Sequence, residues 1–446
     1  MPTQTPTHYP ELHQRVRRQA ELLPALYGNL NFDVQPYRTT TNLDDVSALR
    51  GKPSTRADLL ADDNLVELIC TATWLGDVVS DAYAALMGQY SVTELIGMLK
   101  LACRKGIDAV ADAPPELAEF IAAMECTPDW LDMDLVRQGA QESQIPMALL
   151  APFVVRGAFI ATFLNTYAAL PMALTGALSG KRAEGRVNET TSFFAVTTLP
   201  GALERYGPGF EAAAMVRLMH SMVRYNALTR SPKWDIAIYG LPIPQLDQMP
   251  AGMINLFLMA MDARRQGRTE FTDRERAVVE FTRYRSVLLG LPEELLPSTP
   301  TDIIRVMSAR SALLRDDFDD STCGELVRST MDTYLRQETT LSERIADAVE
   351  KSYSKAFFVR MFCGGKREVA ATMSVTLGAG DYLRIALTAP FVLGRLLVVQ
   401  QAMRIPGLRR LTSAYVLRLL KRRLKAYGTP EFTSDAAEYT PSGKAA

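Results

Sequence analysis

Apolar residues recur at the three- and four-residue spacing of amphipathic helices along most of the chain after residue 60. Three Ser/Thr-x-x-Glu signatures, beginning at Ser91, Thr272 and Thr340, predict helix starts, because the hydroxyl and the glutamate each satisfy an orphan amide. No series of segments shows the strict alternation that indicates a sheet. The pattern predicts an all-α fold, with one long helix over 65–87 and a polar, proline-punctuated extended arm over 1–55.

The helix predicted over 211–228 carries His220, and the other two histidines, His8 and His13, lie in the N-terminal arm. An apolar stripe on this helix consists of Val216, Met219, His220, Val223 and Ala227, and a second side consists of Arg217, Ser221, Arg224 and Leu228. The imidazole therefore faces an interior. One interpretation is a core histidine with a satisfied hydrogen bond. The other is a haem ligand, because haem iron needs one axial protein ligand whereas zinc usually needs three or four.

The chain of 446 residues is 48% hydrophobic, which suffices for one large domain or two to three ordinary ones. Its formal net charge of -1 gives no electrostatic case for nucleic acid as a partner. Five scattered cysteines without a CxxC pair indicate reduced thiols, and residues 1–40 show no signal-peptide pattern. These features together predict a cytoplasmic protein.

The longest uncharged stretch, 157–180, is long enough to span a bilayer. Asn165, Thr166, Tyr167 and Pro171 interrupt it, and two buried helices lining an apolar cavity explain the same residues. Aromatic side chains here and just beyond would line such a cavity, together with the methionines of the His220 helix: Phe159, Phe163, Tyr167, Phe193 and Phe194. Core packing explains these side chains equally well.

Several short motifs follow one another in a recognisable order. They are Gly-Arg at 185–186, Glu-Thr-Thr at 189–191, VRLMH at 216–220, Val-Arg at 223–224, PIPQLDQMPAG at 242–252 and YRSVLLGLPEELLP at 284–297. In order and spacing the chain resembles the rubber oxygenase catalytic domain family, which includes latex clearing proteins and a fungal oxygenase of mycophenolic acid biosynthesis. The resemblance extends from roughly Trp74 to Arg395.

The resemblance implies an all-α fold in which a globin-like helical core, with additional surrounding helices, holds a b-type haem. In the family, a histidine in a Val-Arg-x-x-His context is the proximal iron ligand, and His220 occupies that position here. An arginine and a threonine beside the haem correspond to Arg186 and Thr190, which share a helix face at this spacing. Two interpretations of Arg217 and Arg224 stay open: that they lie on a solvated helix face, and that they pair with haem propionates.

The chain departs from the rubber-cleaving members at two positions. They place a lysine one residue before the threonine, where this chain has Glu189, and they carry an upstream glutamate base, whereas 143–183 contains no acidic residue. These departures argue against polyisoprene as the substrate. Glu189 follows Arg186 by one helical turn, which favours an intrahelical ion pair; the alternative is a distal-pocket carboxylate that handles protons.

The resemblance therefore implies a haem b-dependent oxygenase, in which dioxygen is activated at the His220-ligated iron to attack a hydrophobic small molecule, isoprenoid, terpenoid or polyketide-like. Arg186, Glu189 and Thr190 are the candidate catalytic residues. Besides His220, the candidate haem-binding residues are Arg186, Thr190, Arg217 and Arg224. The alternative is a non-catalytic haem-binding, lipid-binding or partner-binding protein of the same fold.

The C-terminal part is strongly basic: no acidic residue lies between Asp381 and Glu431, a stretch with ten arginines and lysines. An apolar stripe accompanies these charges, formed by Tyr415, Val416, Leu419, Leu420 and Leu424. A basic amphipathic helix of this kind can lie on an anionic membrane, or can dock on the protein body. The chain is thus predicted to comprise an arm over 1–55, a haem-binding domain over 56–400, and a basic helix with a disordered tail over 401–446.

Overall fold

The computed structural model describes residues 7–50, 53–175 and 182–428, and its regular elements in these ranges are helices, which confirms the all-α prediction. Two isolated bridges pair Thr39 with Leu314 and Ser47 with Arg315. Within the described residues the chain divides into two compact units, one formed by 7–136 with 213–317 and the other by 137–212 with 318–428. Neither unit is a continuous segment of the chain.

The first unit is built from these helices: α1 Pro10–Leu22, α2 Pro24–Tyr27, α3 Pro53–Leu60, α4 Asp63–Ala72, α5 Val78–Ala85, α6 Val92–Lys105 and α7 Pro115–Glu125. The chain then forms α8 Met133–Leu149, α9 Ala151–Ile160, α10 Thr166–Thr175, α11 Arg182–Val196 and α12 Pro208–Arg230. Most of α12 belongs to the first unit, and most of α8 belongs to the second.

The first unit continues with α13 Ile236–Tyr239, α14 Gln245–Arg265, α15 Asp273–Leu288 and α16 Pro300–Leu313. The second unit is completed by α17 Glu325–Asp332, α18 Leu341–Phe362, α19 Arg367–Thr372, α20 Ala379–Arg404 and α21 Pro406–Tyr427. Its core includes α9 packed on α18, where a side chain at Gly157 would collide with the Ser354 carbonyl, so that glycine permits the close approach.

Local helix-start rules were accurate. Ser91 and Thr272 form complete capping boxes at the starts of α6 and α15, and Thr340 accepts the backbone N–H of Glu343 at the start of α18. The helix on which Arg186 and Thr190 were expected to share a face is α11, with Phe193 and Thr191 buried. Each of these signals acts within one helical turn, which is why the sequence reveals it.

The predicted long helix over 65–87 is wrong, because the chain is interrupted between α4 and α5. At the break, the side-chain amide of Gln19 donates to the Trp74 carbonyl at 2.9 Å and its oxygen accepts the Gly76 N–H at 2.7 Å. A side chain at Gly76 would collide with the Tyr27 hydroxyl. The break therefore depends on residues about fifty positions earlier.

Part of the predicted extended arm is also helical, since residues 10–22 form α1 and 24–27 form α2. Leu12, Val16 and Tyr27 are buried. A proline at the first position of each helix starts it without loss of a hydrogen bond, because the first amides of a helix have no intrahelical acceptor. The segment is thus part of the first unit's core.

The uncharged stretch 157–180 is not a single helix in its described part: α9 ends at Ile160, a short 3₁₀ turn follows over Ala161–Phe163, and α10 begins at Thr166. Phe159 and Phe163 stack edge to face at 4.9 Å between centroids and belong to a buried cluster with Val187 of α11. The core-packing interpretation of these rings is supported. The predicted disordered tail, 429–446, lies outside the described residues.

Candidate functional site

His220 lies in the middle of α12 and is half-buried beside Met219 and Val223, which are buried. Its Nδ1 is 3.2 Å from the Oε1 of Gln248 on α14. An amide oxygen only accepts hydrogen bonds, so this contact places the imidazole proton on Nδ1 and the lone pair of the neutral ring on Nε2. The contact thus selects the tautomer that a metal ligand needs.

The orientation of the Gln248 amide is itself fixed. Its nitrogen donates to the Oε1 of Gln245, one turn earlier on α14, so the oxygen end points to His220. The backbone N–H of Gln245 donates to the Leu75 carbonyl at 2.8 Å, which attaches the start of α14 to the break before α5. A chain of hydrogen bonds therefore leads from the α4–α5 break to the imidazole.

One turn before His220, Arg217 forms a bidentate ion pair with Asp77: Nε and Nη2 each lie 2.7 Å from a carboxylate oxygen. Both side chains are buried. Burial tends to raise the pKa of Asp77, but the Arg217 guanidinium outweighs it and holds the pKa below the ordinary value. Asp77 is therefore ionised at neutral pH, and the pair fixes α12 to the start of α5.

Gly290 lies directly against this pair. Its φ of +89° is in the region that favours glycine, and a Cβ there would be 2.8 Å from Gln245 Nε2, 3.1 Å from Asp77 Oδ2 and 3.2 Å from Arg217 Nε. The glycine of the YRSVLLGLPEELLP motif thus leaves room for the ion pair and for the glutamine that orients Gln248. Three of the motifs quoted above meet around one helix.

Arg224 is fully buried and ion-paired with Asp81, four residues after Asp77. Its Nε donates to the Pro242 carbonyl at 3.0 Å, and its Nη2 donates to the carbonyl of Ile243. Burial alone would lower the pKa of Arg224, but Asp81, Tyr27 and Asp77 together outweigh burial and raise that pKa above its ordinary value. The guanidinium remains charged and holds the loop that leads into α14.

The interpretation of Arg217 and Arg224 as a solvated face is wrong, because both side chains are buried, whereas His220 itself is half-buried. Local sequence pattern does not indicate this burial, since the two carboxylate partners lie 140 and 143 positions away. Asp77 and Asp81, four residues apart, could have been recognised as a pair on one helix face. Gln245, Gln248 and Gly290 were quoted only as parts of motifs.

The other candidate residues lie on α11, in the second unit. Arg186 Nη1 is 3.2 Å from Glu189 Oε2, which confirms the favoured intrahelical ion pair. The Thr190 hydroxyl donates to the Arg186 carbonyl at 3.0 Å, so its oxygen keeps acceptor capacity. All three side chains are half-buried. The structure therefore groups Arg186, Glu189 and Thr190 on one helix, and groups His220 with Arg217 and Arg224 on another.

Comparison with known proteins agrees with this architecture. The sequence model of a family described as ER-bound oxygenase mpaB/B'/Rubber oxygenase, catalytic domain, matches residues 146–350. A solved structure of latex clearing protein in the closed state matches with a TM-score of 0.52 and 18% identity, covering 79% of this chain and 91% of that chain. No curated protein matches significantly. The solved structure shows the fold, and residues 146–350, which contain α11 and α12, match the sequence model of the rubber oxygenase catalytic-domain family.

Proposed function

We propose that this protein is a haem b-dependent oxygenase of a hydrophobic small molecule, in which His220 would bind the haem iron. The observation that carries the proposal is the Gln248 contact, which leaves the lone pair of the neutral imidazole on Nε2. Metal-ligating histidines usually donate their other ring N–H to an oxygen acceptor in this way. The donor set therefore fits a metal that takes a single protein ligand, as haem iron does.

The residues around His220 would act by positioning it. Gln248 sets the ring's tautomer and orientation, and Gln245 orients Gln248. The Arg217–Asp77 pair fixes the register of α12 one turn before the histidine. Because the guanidiniums of Arg217 and Arg224 are bound to buried aspartates, we assign them this supporting role ahead of pairing with haem propionates. The haem, when bound, would supply the activation of dioxygen.

The proposed roles of the α11 residues are inferred from the family resemblance. Thr190 would present its hydroxyl oxygen as an acceptor, since its proton is held by the Arg186 carbonyl. Arg186 would contribute positive charge, moderated by Glu189 in the intrahelical pair. Glu189 stands where rubber-cleaving members have lysine, so we propose a substrate other than polyisoprene: an isoprenoid, terpenoid or polyketide-like molecule. The cytoplasmic location stays a prediction from the sequence.

The first experiment is an absorption spectrum of the full chain, expressed with a haem precursor, beside the variants His220→Ala and His13→Ala. We expect a Soret band in the wild type and in His13→Ala, and its loss or shift in His220→Ala. His13 is the matched control, because it contacts Glu67 and lies on α1. A wild-type protein that stays colourless after reconstitution with haemin would overturn the proposal.

Substrate-dependent oxygen uptake separates the oxygenase from a haem-binding protein without turnover. We expect uptake by the haem-loaded wild type when apolar alkenes are supplied. A Soret band without uptake over a panel of isoprenoid, terpenoid and polyketide compounds would favour the non-catalytic alternative.

A further inference from the structure

Helix α20, Ala379–Arg404, is long and apolar, yet it is exposed. Among the described residues it is the one unbroken helix long and apolar enough to cross a membrane, and only 6% of its apolar window is buried. At 1.5 Å per residue its 26 residues extend about 39 Å. A core helix of this composition would be mostly covered by its own protein, so this one calls for another partner.

The most exposed apolar side chains of α20 lie on one face. Leu383, Leu387, Phe391 and Val398 follow at intervals of four, four and seven residues, and they are 60%, 66%, 77% and 68% exposed. Leu397 lies beside them and is 56% exposed. We call these five residues the α20 face.

The opposite side of α20 is attached to the second unit at both ends. Near its start, the Ser352 hydroxyl donates to Asp381 at 2.7 Å. Near its end, Val399 and Met403 are buried in a cluster with Ile145 and Leu149 of α8. These contacts hold α20 along the second unit and leave the α20 face at the protein surface.

The next helix, α21, packs on α20 and adds positive charge. Six of its cations are exposed: Arg409, Arg410, Arg418, Lys421, Arg422 and Lys425. The sequence has no acidic residue from 382 to 430. The apolar stripe predicted for the C-terminal helix faces the other way, since Val416 and Leu420 are buried in the second unit's core. The docking interpretation of α21 is therefore correct, and the exposed apolar residues are on α20.

The exposed apolar face of α20 and the cations of α21 together favour one kind of binding partner. A second copy of the chain would bring the same concentration of positive charge against this surface, which opposes face-to-face pairing. Nucleic acid would match the cations but would leave the apolar residues unsatisfied. An anionic lipid bilayer matches both, because lipid phosphates attract the cations while the acyl boundary receives apolar side chains.

We propose that α20 and α21 form a docking surface for an anionic membrane, with the α20 face inserted at the boundary between headgroups and acyl chains. The cations of α21 would then lie at the level of the lipid phosphates. This inference does not rest on haem binding or oxygenase activity. It would place an enzyme for apolar compounds beside the phase in which such compounds dissolve.

The test is co-sedimentation of the full chain with phosphatidylcholine vesicles, with and without about one-third phosphatidylserine. We expect binding to the anionic vesicles that weakens as salt is added. The double variant Leu387→Asn with Phe391→Asn should bind about tenfold more weakly or worse, because two inserted apolar side chains are lost. Arg409→Gln with Arg410→Gln should weaken binding up to about thirtyfold at low salt, from about fivefold for each charge.

The matched control is Leu43→Asn with Val46→Asn, which changes two apolar side chains of similar exposure in the first unit. This variant should bind vesicles like the wild type. All variants should unfold at the wild-type temperature, since the altered side chains are exposed. Failure of the wild type to bind anionic vesicles would overturn the proposal. So would a concentration-dependent dimer that the α20 substitutions abolish, because a second copy would then cover this face.

Discussion

The arginines of α12 and the arginine of α11 belong to motifs of the same family, yet they are held in opposite ways. Arg217 and Arg224 are buried, and each bonds an aspartate about 140 residues away in sequence. Arg186 is half-buried and bonds Glu189 within its own helix. The first arrangement fixes one element against another. The second joins two side chains of the same helix.

From this comparison we expect the largest loss of stability for the substitution Arg224→Met. The substitution would leave the Asp81 charge buried without its ion-pair partner, and the free energy of unfolding should fall by about 3–5 kcal/mol. Urea denaturation monitored by circular dichroism measures the change. Arg265→Met is the control, because Arg265 is 69% exposed and pairs within its own helix; its effect should stay within about 0.5 kcal/mol. Similar losses for both variants would contradict the distinction drawn here.

A smaller effect is expected for Gly290→Ala, which adds a methyl group against Asp77, Arg217 and Gln245. The backbone conformation and the close contacts together should lower the free energy of unfolding by about 2–3 kcal/mol. Gly267→Ala is the control: its φ is also positive, at +74°, but no atom lies within 4 Å of the added Cβ. It should lose about 1 kcal/mol. Equal losses of unfolding free energy in the two variants would show that Gly290 is needed only for its backbone conformation and not for the space it leaves to its neighbours.

The smallest effect on stability is expected for Arg186→Ala. A half-buried pair one turn apart contributes at most about 0.5 kcal/mol, so urea denaturation should barely change. If α11 has the proposed role, oxygen uptake by the haem-loaded protein should nevertheless fall at least about tenfold. A large loss of stability without a specific loss of activity would show that Arg186, like Arg217 and Arg224, mainly stabilises the fold.

The sequence was informative where the interaction is local. Capping at Ser91 and Thr272 and the pairing of Arg186 with Glu189 all act over three residues, and the structure has each of them. The break at Gly76 was missed, because the side chains that enforce it come from Gln19 and Tyr27, far earlier in the chain.

The same distinction between local and long-range interactions applies to the candidate site. Helical periodicity predicted that His220 faces an interior; Met219 and Val223 of its stripe are buried, and His220 itself is half-buried. Periodicity could not identify Gln248 as its neighbour, since that contact depends on how α14 packs against α12. Periodicity also could not show that the side of α12 with Arg217 and Arg224 is buried. Arginines are ordinarily exposed, and only a carboxylate from a distant part of the chain makes their burial favourable.

The sequence separation within the α12 network also bears on biosynthesis. Asp77 and Asp81 leave the ribosome some 140 residues before Arg217 and Arg224, a delay on the order of ten seconds at ordinary translation rates. During that interval α5 cannot reach its native burial, because two carboxylates would enter an apolar interior without counter-charges. We therefore expect the nascent N-terminal helices to wait, incompletely packed and dependent on chaperones, until α12 emerges.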